Sequence, residues 1–216
     1  MTPETIQAVR AHILYQKGGA GGVKLCLRNG DLSNANLARL SFFGCCLPST
    51  DFHRSNLAAC SFDTADLFGA NFTEARLTLA TFRKTDLRGV NFSRAEMAGV
   101  IMDGADLRPG RIVQWDAEKK DLLPTRTNLE NANLTDARLC GANLEQAEMS
   151  FATLCGADFN EAQAHGVNLS NANLSGATFR GTKLSNANLN GAKVDNTDFS
   201  GSDLRGAMLR NVDLRG

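Results

Sequence analysis

The sequence has few aromatic residues, few prolines and no excess of either charge. Only 6% of its 216 residues are Phe, Trp or Tyr, and 23 basic residues balance 23 acidic ones. A nucleic-acid surface would need a basic stripe with outward aromatics, and this composition argues against direct nucleic-acid binding. No apolar run approaches the roughly 20 residues of a membrane span, and the N-terminus lacks the apolar core of a signal peptide. We therefore expect a cytoplasmic protein with no membrane partner.

Recognisable catalytic and metal-binding motifs are also missing. There is no HExxH motif and no Ser-x-Gly elbow, and the three histidines lie far apart in the chain. The glycine-rich stretch 18–22 lacks the Gly-Lys-Ser/Thr ending and the preceding strand of a phosphate-binding loop. We expect no enzyme activity, no cofactor and no metal, because no paired C-x2-C spacing occurs among Cys26, Cys45, Cys46, Cys60, Cys140 and Cys155.

What the sequence has instead is a period of five. Every fifth residue from Leu27 to Leu107 is Leu, Phe or Met, and a second series runs from Leu129 to Leu214 with Ala164 as its one weak member. The residue two places before each apolar centre is mostly small. An amphipathic helix or an alternating strand would have a different period. Each unit is therefore predicted to be a short extended piece with one outward polar residue, followed by a corner rich in Ser, Gly, Arg and Asn.

A second, longer period predicts how many units make one circuit. Phenylalanine returns at every fourth centre, which indicates four units per coil, with like residues laddered about 4.8 Å apart as in paired strands. The 17 centres of the first series and 18 of the second make 35 units. They predict about nine coils in a rod about 40 Å long. The predicted core ladders are Phe42, Phe62 and Phe82; Phe52, Phe72 and Phe92; and Phe159, Phe179 and Phe199.

The A(D/N)LXX pattern at residues 27–107 and 129–216 resembles that of the pentapeptide-repeat protein family. The resemblance implies an all-β solenoid, the right-handed quadrilateral β-helix of that family. Some members of the family resemble duplex DNA in size and charge, bind type II topoisomerases such as gyrase and confer tolerance to quinolones. That activity requires a strongly acidic surface. The candidate here is an acidic strip formed by Asp66, Asp86 and Asp106 on one face and by Asp31 and Asp51 on the next.

Two features of this chain depart from the topoisomerase-binding members. Basic residues such as Arg88 and Arg94 interrupt the acidic strip. Those members also tend to carry a C-terminal dimerisation helix and less regular, Phe-rich repeats, whereas here the repeat continues to Leu214. A repeat that continues to the end leaves the last coil uncovered. Three explanations are open: an end-to-end homodimer through that coil, a longer natural protein, or fraying of the coil. We treat DNA mimicry as the alternative function.

The N-terminal segment is predicted to cap the rod. Residues 2–17 should form a helix, with Thr2 as N-cap and Pro3 at the first helical position. Its apolar face is predicted to contain Ile6, Val9, Ile13 and Leu14. The predicted organisation is a capping helix and Gly-rich turn (1–22), coils (23–107), an extruded loop (108–127) and further coils (128–216) in one solenoid domain.

The loop is the candidate partner-binding site. The interval from Leu107 to Leu129 is not a multiple of five. If the ladder continues with Leu129 one unit after Leu107, the additional residues must be extruded from the coil. Phe159 then falls in the same ladder as Phe42. The alternative is a tolerated surface insertion packed against the coil. We expect a non-catalytic rod that presents flat faces and this loop to a protein partner. The candidate contact residues are Arg108, Arg111, Ile112, Trp115, Lys119, Lys120 and Arg126.

Two cysteines lie one circuit apart, Cys26 and Cys46, and should stack on one face. A disulfide between them and a reduced pair are both compatible with this spacing. Reduced thiols are favoured in a cytoplasmic protein.

Overall fold

The computed structural model describes residues 2–111 and 124–213. It contains one helix, α1 (Pro3–Gln16), and a short antiparallel hairpin stem made of β1 (Gly110–Arg111) and β2 (Pro124–Thr125). From Cys26 onward the described chain is wound into a β-helix whose coils are joined by single parallel bridges. No helix among the described residues is long and apolar enough to cross a membrane.

One circuit of the β-helix brings each residue beside the equivalent residue of the next coil. The bridges join position i to position i+20, as in Asp66↔Asp86 and Asp86↔Asp106. Across the insertion the separation becomes 37, as in Glu96↔Asn133, and it then returns to 20. This lengthening equals the excess of the Leu107–Leu129 interval over one repeat unit. Coils before and after the insertion therefore share one ladder of backbone hydrogen bonds.

Aromatic stacks fill much of the first half of the core. In one ladder Phe62 stacks on Phe42 at 4.9 Å and on Phe82 at 5.0 Å between ring centroids. In the second, Phe72 stacks on Phe52 at 4.6 Å and on Phe92 at 5.0 Å. The two ladders meet edge to face at interplanar angles of 70–89°. A third stack in the later coils joins Phe159, Phe179 and Phe199 at 4.5 and 5.2 Å.

The outward Asn and Asp residues also hold the corners of the coil. The side-chain oxygen of Asn91 accepts the N–H of Ser93 at 3.0 Å, and Asp51 accepts that of His53 at 3.0 Å. The residue that follows such a turn adopts a left-handed backbone, for example Arg94 at φ 59°. This is the local hydrogen bonding that favours Asn and Asp in turns. These side chains are therefore part of the fold as well as of its surface.

Helix α1 covers the first coil, and the predicted apolar face was wrong at two positions. Ile6 and Leu14 are 37% and 46% exposed, whereas Val9 and His12 are buried. The ring of His12 stacks on Phe42 at 5.7 Å. Its Nδ1 accepts the backbone N–H of Leu25 at 3.2 Å, and its Nε2 lies 2.7 Å from the carbonyl of Ser41. The helix is rotated toward this histidine because the open coil has polar backbone groups that an apolar side chain could not satisfy.

Candidate partner-binding site

The extruded segment leaves the rod through a stem that is anchored at both ends. On the outgoing side, the carbonyl of Arg108 accepts the N–H of Gly89 at 3.2 Å. On the returning side, the buried Thr127 hydroxyl donates to the carbonyl of Leu87 at 3.0 Å and accepts the Gly89 N–H at 3.0 Å. Arg108 and Thr127 are the first and last residues of the predicted loop. These hydrogen bonds make both of them part of the coil instead.

Two glycines allow the stem to lie directly on the corner of the preceding coil. A Cβ placed on Gly89 would lie 3.3 Å from Cα and N of Gly110 and from the carbonyl oxygen of Thr125. A Cβ on Gly110 would lie 3.1 Å from the carbonyl oxygen of Arg88 and from the ring of Phe68. The stem therefore packs backbone against backbone, which places the start of the loop at a defined position on the rod.

A cavity of about 430 Å³ lies beside the stem. Three of its side chains, Phe68, Arg88 and Arg108, occupy equivalent corners of successive coils. The guanidinium of Arg88 lies 5.4 Å from the centroid of the Phe68 ring, a cation–π contact. Glu145 continues this row on the next coil, and Pro109 and Gln146 complete the lining.

Both arginines are held by bidentate ion pairs. Arg88 donates from Nε to Asp86 Oδ1 at 2.9 Å and from Nη2 to Oδ2 at 2.6 Å. Arg108 makes the same pair with Asp106 at 2.9 and 2.8 Å. Hydrogen bonding to these carboxylates raises the pKa of both guanidiniums. Burial opposes the ionisation of Asp106, but the bonds from Arg108 outweigh it and the pKa of Asp106 is lowered.

The predicted acidic strip is a geometric ladder, and the charges of two of its five aspartates are compensated by arginines. Asp66, Asp86 and Asp106 are aligned by successive bridges, but Arg88 and Arg108 pair with the last two. On the next face Asp31 and Asp51 also form a bridge. Asp51 accepts from the amide of Asn71 at 2.9 Å, and Asp31 accepts from the N–H of Ser33 at 2.9 Å. These aspartates therefore stabilise local turns or form ion pairs in addition to being part of the surface.

A tripeptide signal for this arrangement was missed in the sequence analysis. Asp-Leu-Arg occurs at residues 86–88 and 106–108, again at 203–205, and at 213–215, where the last two residues lie outside the described part of the chain. At the third site Arg205 makes the same bidentate pair with Asp203, with two bonds of 2.8 Å. The central leucine points into the core, so the flanking Asp and Arg both face outward across the corner. This spacing predicts a fixed guanidinium wherever it follows the repeat.

The other candidate contact residues are placed only in part. Arg126, next to the returning strand, pairs with Glu148. Arg111 lies in β1. Ile112, Trp115, Lys119 and Lys120 lie outside the described residues, so their roles stay predictions.

The possible metal ligands and the histidines are dispersed in the part of the chain that the structure describes. Within residues 2–111 and 124–213, no group of three His, Cys, Asp or Glu side chains could hold a metal ion. His12 is occupied in the cap, and His165 hydrogen-bonds Ser185 at 2.9 Å on a distant coil. The side chains at the stem offer hydrogen-bond donors, an aromatic ring and charge.

Several solved structures are similar to this chain, and the first of them shares its fold. A trypsin-treated form of QnrB1, a plasmid-mediated fluoroquinolone resistance protein, is 21% identical, with 88% of this chain and 91% of that chain covered and a TM-score of 0.51. HetL, a pentapeptide repeat protein involved in heterocyst differentiation regulation in the cyanobacterium Nostoc, is 28% identical over 86% and 87% of the chains, with a TM-score of 0.30. A thylakoid-lumen pentapeptide repeat protein of Arabidopsis thaliana is 25% identical over 73% and 70%, with a TM-score of 0.23.

Family models cover most of the chain. A search of curated proteins by sequence found no significant match. A model of the pentapeptide repeat region matches residues 27–109, and a model of eight pentapeptide repeats matches residues 125–161, 157–195 and 182–216. These matches coincide with the coils on both sides of the insertion. The chain belongs to the pentapeptide-repeat family, whose solved relatives are right-handed β-helices.

Proposed function

We propose that the chain is a non-catalytic, cytoplasmic protein-binding rod of about nine four-sided coils that recognises its partner at the loop and its stem. The observation that carries the proposal is the anchored stem of β1 and β2, which lies beside a cavity of about 430 Å³. A projecting segment next to a concave surface is a better recognition element than a flat face, because it can enclose a partner side chain.

The faces of the rod offer less for a specific contact. Backbone N–H and C=O groups along the coils already bond to the coils above and below. A partner strand therefore cannot add to the side of the rod, and recognition must come from side chains. Many outward Asn and Asp side chains are already engaged in turns, as at Asn133 and Asn188. The stem is where two fixed arginines and an aromatic ring meet.

Arg88 and Arg108 are suited to contact a protein. Their ion pairs use Nε and Nη2, so the Nη1 N–H groups take no part in those pairs. Arginine is enriched among residues that dominate binding energy at interfaces. A side chain that is already held in position loses less conformational entropy on binding. Arg108 is exposed and lies next to the loop, so we expect it to contribute most.

Deletion of residues 109–125 tests the role of the loop. Joining Arg108 to Arg126 restores the spacing of one repeat unit between Leu107 and Leu129, so the repeat continues without interruption. We expect an unchanged thermal unfolding midpoint, together with loss of the partner that the intact protein captures from a bacterial lysate. Affinity is then measured with the purified partner. Collapse of the fold would contradict extrusion, and equal affinity of both proteins would move recognition to the faces.

A matched pair of point variants tests the cavity. Arg108→Gln and Arg205→Gln each remove one bidentate Asp-Leu-Arg pair, but only Arg108 lies beside the stem. Loss of one exposed ion pair should change stability little in both, because solvent screens such pairs. We expect partner affinity to fall about tenfold or more in Arg108→Gln only, as is typical of a hot-spot residue. Equal effects in both variants would contradict a local site.

The alternative function is that of a DNA mimic that binds gyrase or topoisomerase IV. QnrB1 is a fluoroquinolone resistance protein, and its likeness to this chain concerns the fold. The alignment of Asp66, Asp86 and Asp106 favours this alternative, while the ion pairs of Arg88 and Arg108 count against it. A gyrase supercoiling assay with and without a quinolone separates the two functions. Light scattering of the same samples tests the end-to-end homodimer.

A further inference from the structure

Two outward cysteines of the first coils are directly paired neighbours. Cys26 and Cys46 form a parallel bridge in register. The N–H of Cys46 donates to the carbonyl of Leu25 at 3.4 Å, and the N–H of Leu27 donates to the carbonyl of Cys46 at 2.8 Å. Such pairing holds neighbouring strands about 4.8 Å apart. That spacing lies inside the Cα range of about 4.4 to 6.8 Å that a disulfide requires.

The two thiols are also accessible and lie on the same face of the coil. Leu25 and Cys45, the preceding residues, are buried, so the strand alternation points both Cys26 and Cys46 outward. Cys26 is exposed and Cys46 is partly exposed, and both are free thiols. The neighbouring Cys26 side chain raises the pKa of Cys46. The in-register bridge places the two residues on adjacent strands of the same face, with no coil between them.

The remaining cysteines lack such a partner arrangement. Cys45 and Cys60 are buried on the inward side, and burial raises the pKa of their thiols to about 11 and about 12. Cys140 donates its S–H to Asp158 at 3.1 Å. Cys155 follows Leu154 on a different face of the coil from Cys140, since Arg138 bridges to Asp158 and Thr153 to Asn173. One pair of six cysteines is therefore arranged for a cross-link.

We propose that Cys26 and Cys46 form a site of reversible disulfide formation by exchange with a low-molecular-weight disulfide such as oxidised glutathione. The Cys26 thiolate attacks the oxidant, forms a mixed disulfide and releases one thiolate. The Cys46 thiolate then attacks the Cys26 sulfur and releases the second. Two protein thiols are oxidised and the oxidant's two sulfurs are reduced, and the two protons lost by the cysteines end on the released thiols.

The cross-link would act on a terminal coil. In a solenoid each coil is stabilised by the coils beside it, and the first coil has another coil on one side only. A bond from Cys26 to Cys46 spans one full circuit, so it would restrict opening of the first coil and of the helix that covers it. Oxidation is thus expected to slow hydrogen exchange in residues 23–40 while leaving the later coils unchanged.

The experiment is oxidation of the full-length protein with glutathione disulfide, followed by alkylation and mass spectrometry. Trypsin should release residues 25–28 and 40–54, and the latter contain both Cys45 and Cys46. A Cys45→Ala variant therefore serves as the background. We expect a 25–28/40–54 cross-link in this variant that a dithiol reverses, and no cross-link in Cys46→Ser.

The outcomes are distinguishable. The unpaired but accessible Cys140 and Cys155 provide an internal control and should not cross-link to each other. A glutathione adduct that persists on Cys26 without a cross-link would overturn the proposal, because it would mean that the second thiol cannot reach. A cross-link that requires Cys45 would overturn it as well. Unchanged hydrogen exchange in residues 23–40 of the cross-linked protein would overturn the inferred effect on the first coil.

Discussion

Gly89 and Gly110 meet backbone to backbone where the loop stem crosses the preceding coil. A Cβ on Gly89 would lie 3.3 Å from the Cα of Gly110, closer than most Cβ contacts in folded proteins. This approach joins an insertion to a regular solenoid without disturbing the ladder on either side. The position of the loop therefore depends on two residues that carry no side chain.

The first prediction concerns this contact. Gly89→Ala should destabilise the protein more than Gly141→Ala, because both residues have a left-handed backbone (φ 67° and 62°) but only Gly89 faces the stem. The shared backbone strain is about 1–2 kcal/mol, and overpacking should add about 1–3 kcal/mol at Gly89. Urea unfolding of both variants gives the comparison. Equal destabilisation would show that the stem moves away freely.

A second prediction concerns the aromatic ladder. Phe72 stacks on two rings and meets Phe62 and Phe82 edge to face, at 5.7 and 6.0 Å. Phe72→Ala should lower the free energy of unfolding by about 3–5 kcal/mol. Phe43→Ala is the control, because Phe43 is 59% exposed, and a surface change of this kind is usually worth about 0.5 kcal/mol or less. A similar loss in both variants, measured by chemical denaturation, would contradict the stacked core.

The cap provides a third prediction. His12→Phe preserves a ring over Phe42 but leaves the Leu25 N–H without its acceptor. An unsatisfied buried donor should cost about 1–3 kcal/mol. Hydrogen exchange should rise in α1 and in the first coil, with no change in later coils. His165→Phe, at an exposed position, is the control. Equal hydrogen exchange in both variants would contradict the prediction, because it would mean that His12 contributes through ring stacking and not through its hydrogen bond to Leu25.

Acid stability is the subject of the fourth prediction. Hydrogen bonds from Ser33, Ser200 and Arg205 lower the pKa values of Asp31, Asp198 and Asp203 to about 2. The unfolded value is about 3.9. A lowered folded pKa contributes stability that is present above the unfolded pKa and is lost as the pH falls through the folded pKa. The contribution of these groups should thus hold to about pH 4, decline steeply toward pH 2 and be lost below it.

Thermal unfolding from pH 7 to pH 2 measures this dependence. Asp203→Asn should lower the unfolding midpoint at neutral pH, and the difference from the natural sequence should shrink steeply between about pH 4 and pH 2, as the pH approaches the folded pKa of Asp203. A difference that stayed constant across the range would mean that the carboxylate charge does not matter at this corner.

The coil was predictable because each residue contacts only its own coil and the next. The period of five from Leu27 to Leu107 and the return of phenylalanine at every fourth unit predicted the pairing that bridges such as Asp66↔Asp86 show. The interval from Leu107 to Leu129 also predicted how far the pairing shifts across the insertion, which Asn91↔Asn128 confirms. In these cases the inward or outward direction of each side chain follows from the repeat alone.

The tertiary structure decided what the repeat does not encode. The sequence predicted that the aspartates form a ladder. It did not predict that Arg88 and Arg108 form ion pairs with Asp86 and Asp106, because those pairs depend on the backbone geometry of the corners. The helical pattern predicted that Ile6 and Leu14 are buried. In the structure they are exposed, and His12 is buried instead, where it accepts the Leu25 N–H of the first coil.

The sequence by itself thus determined the circuit, the core and the length of the extruded segment, because periodic burial repeats the same local environment. Contacts between non-repeated parts depended on the folded chain. Helix α1 contacts the first coil through the hydrogen bond between His12 and Leu25. The loop stem packs on the corner of the preceding coil through Gly89 and Gly110. Those contacts join segments that have no periodic relation to each other, so only their placement in space could bring them together.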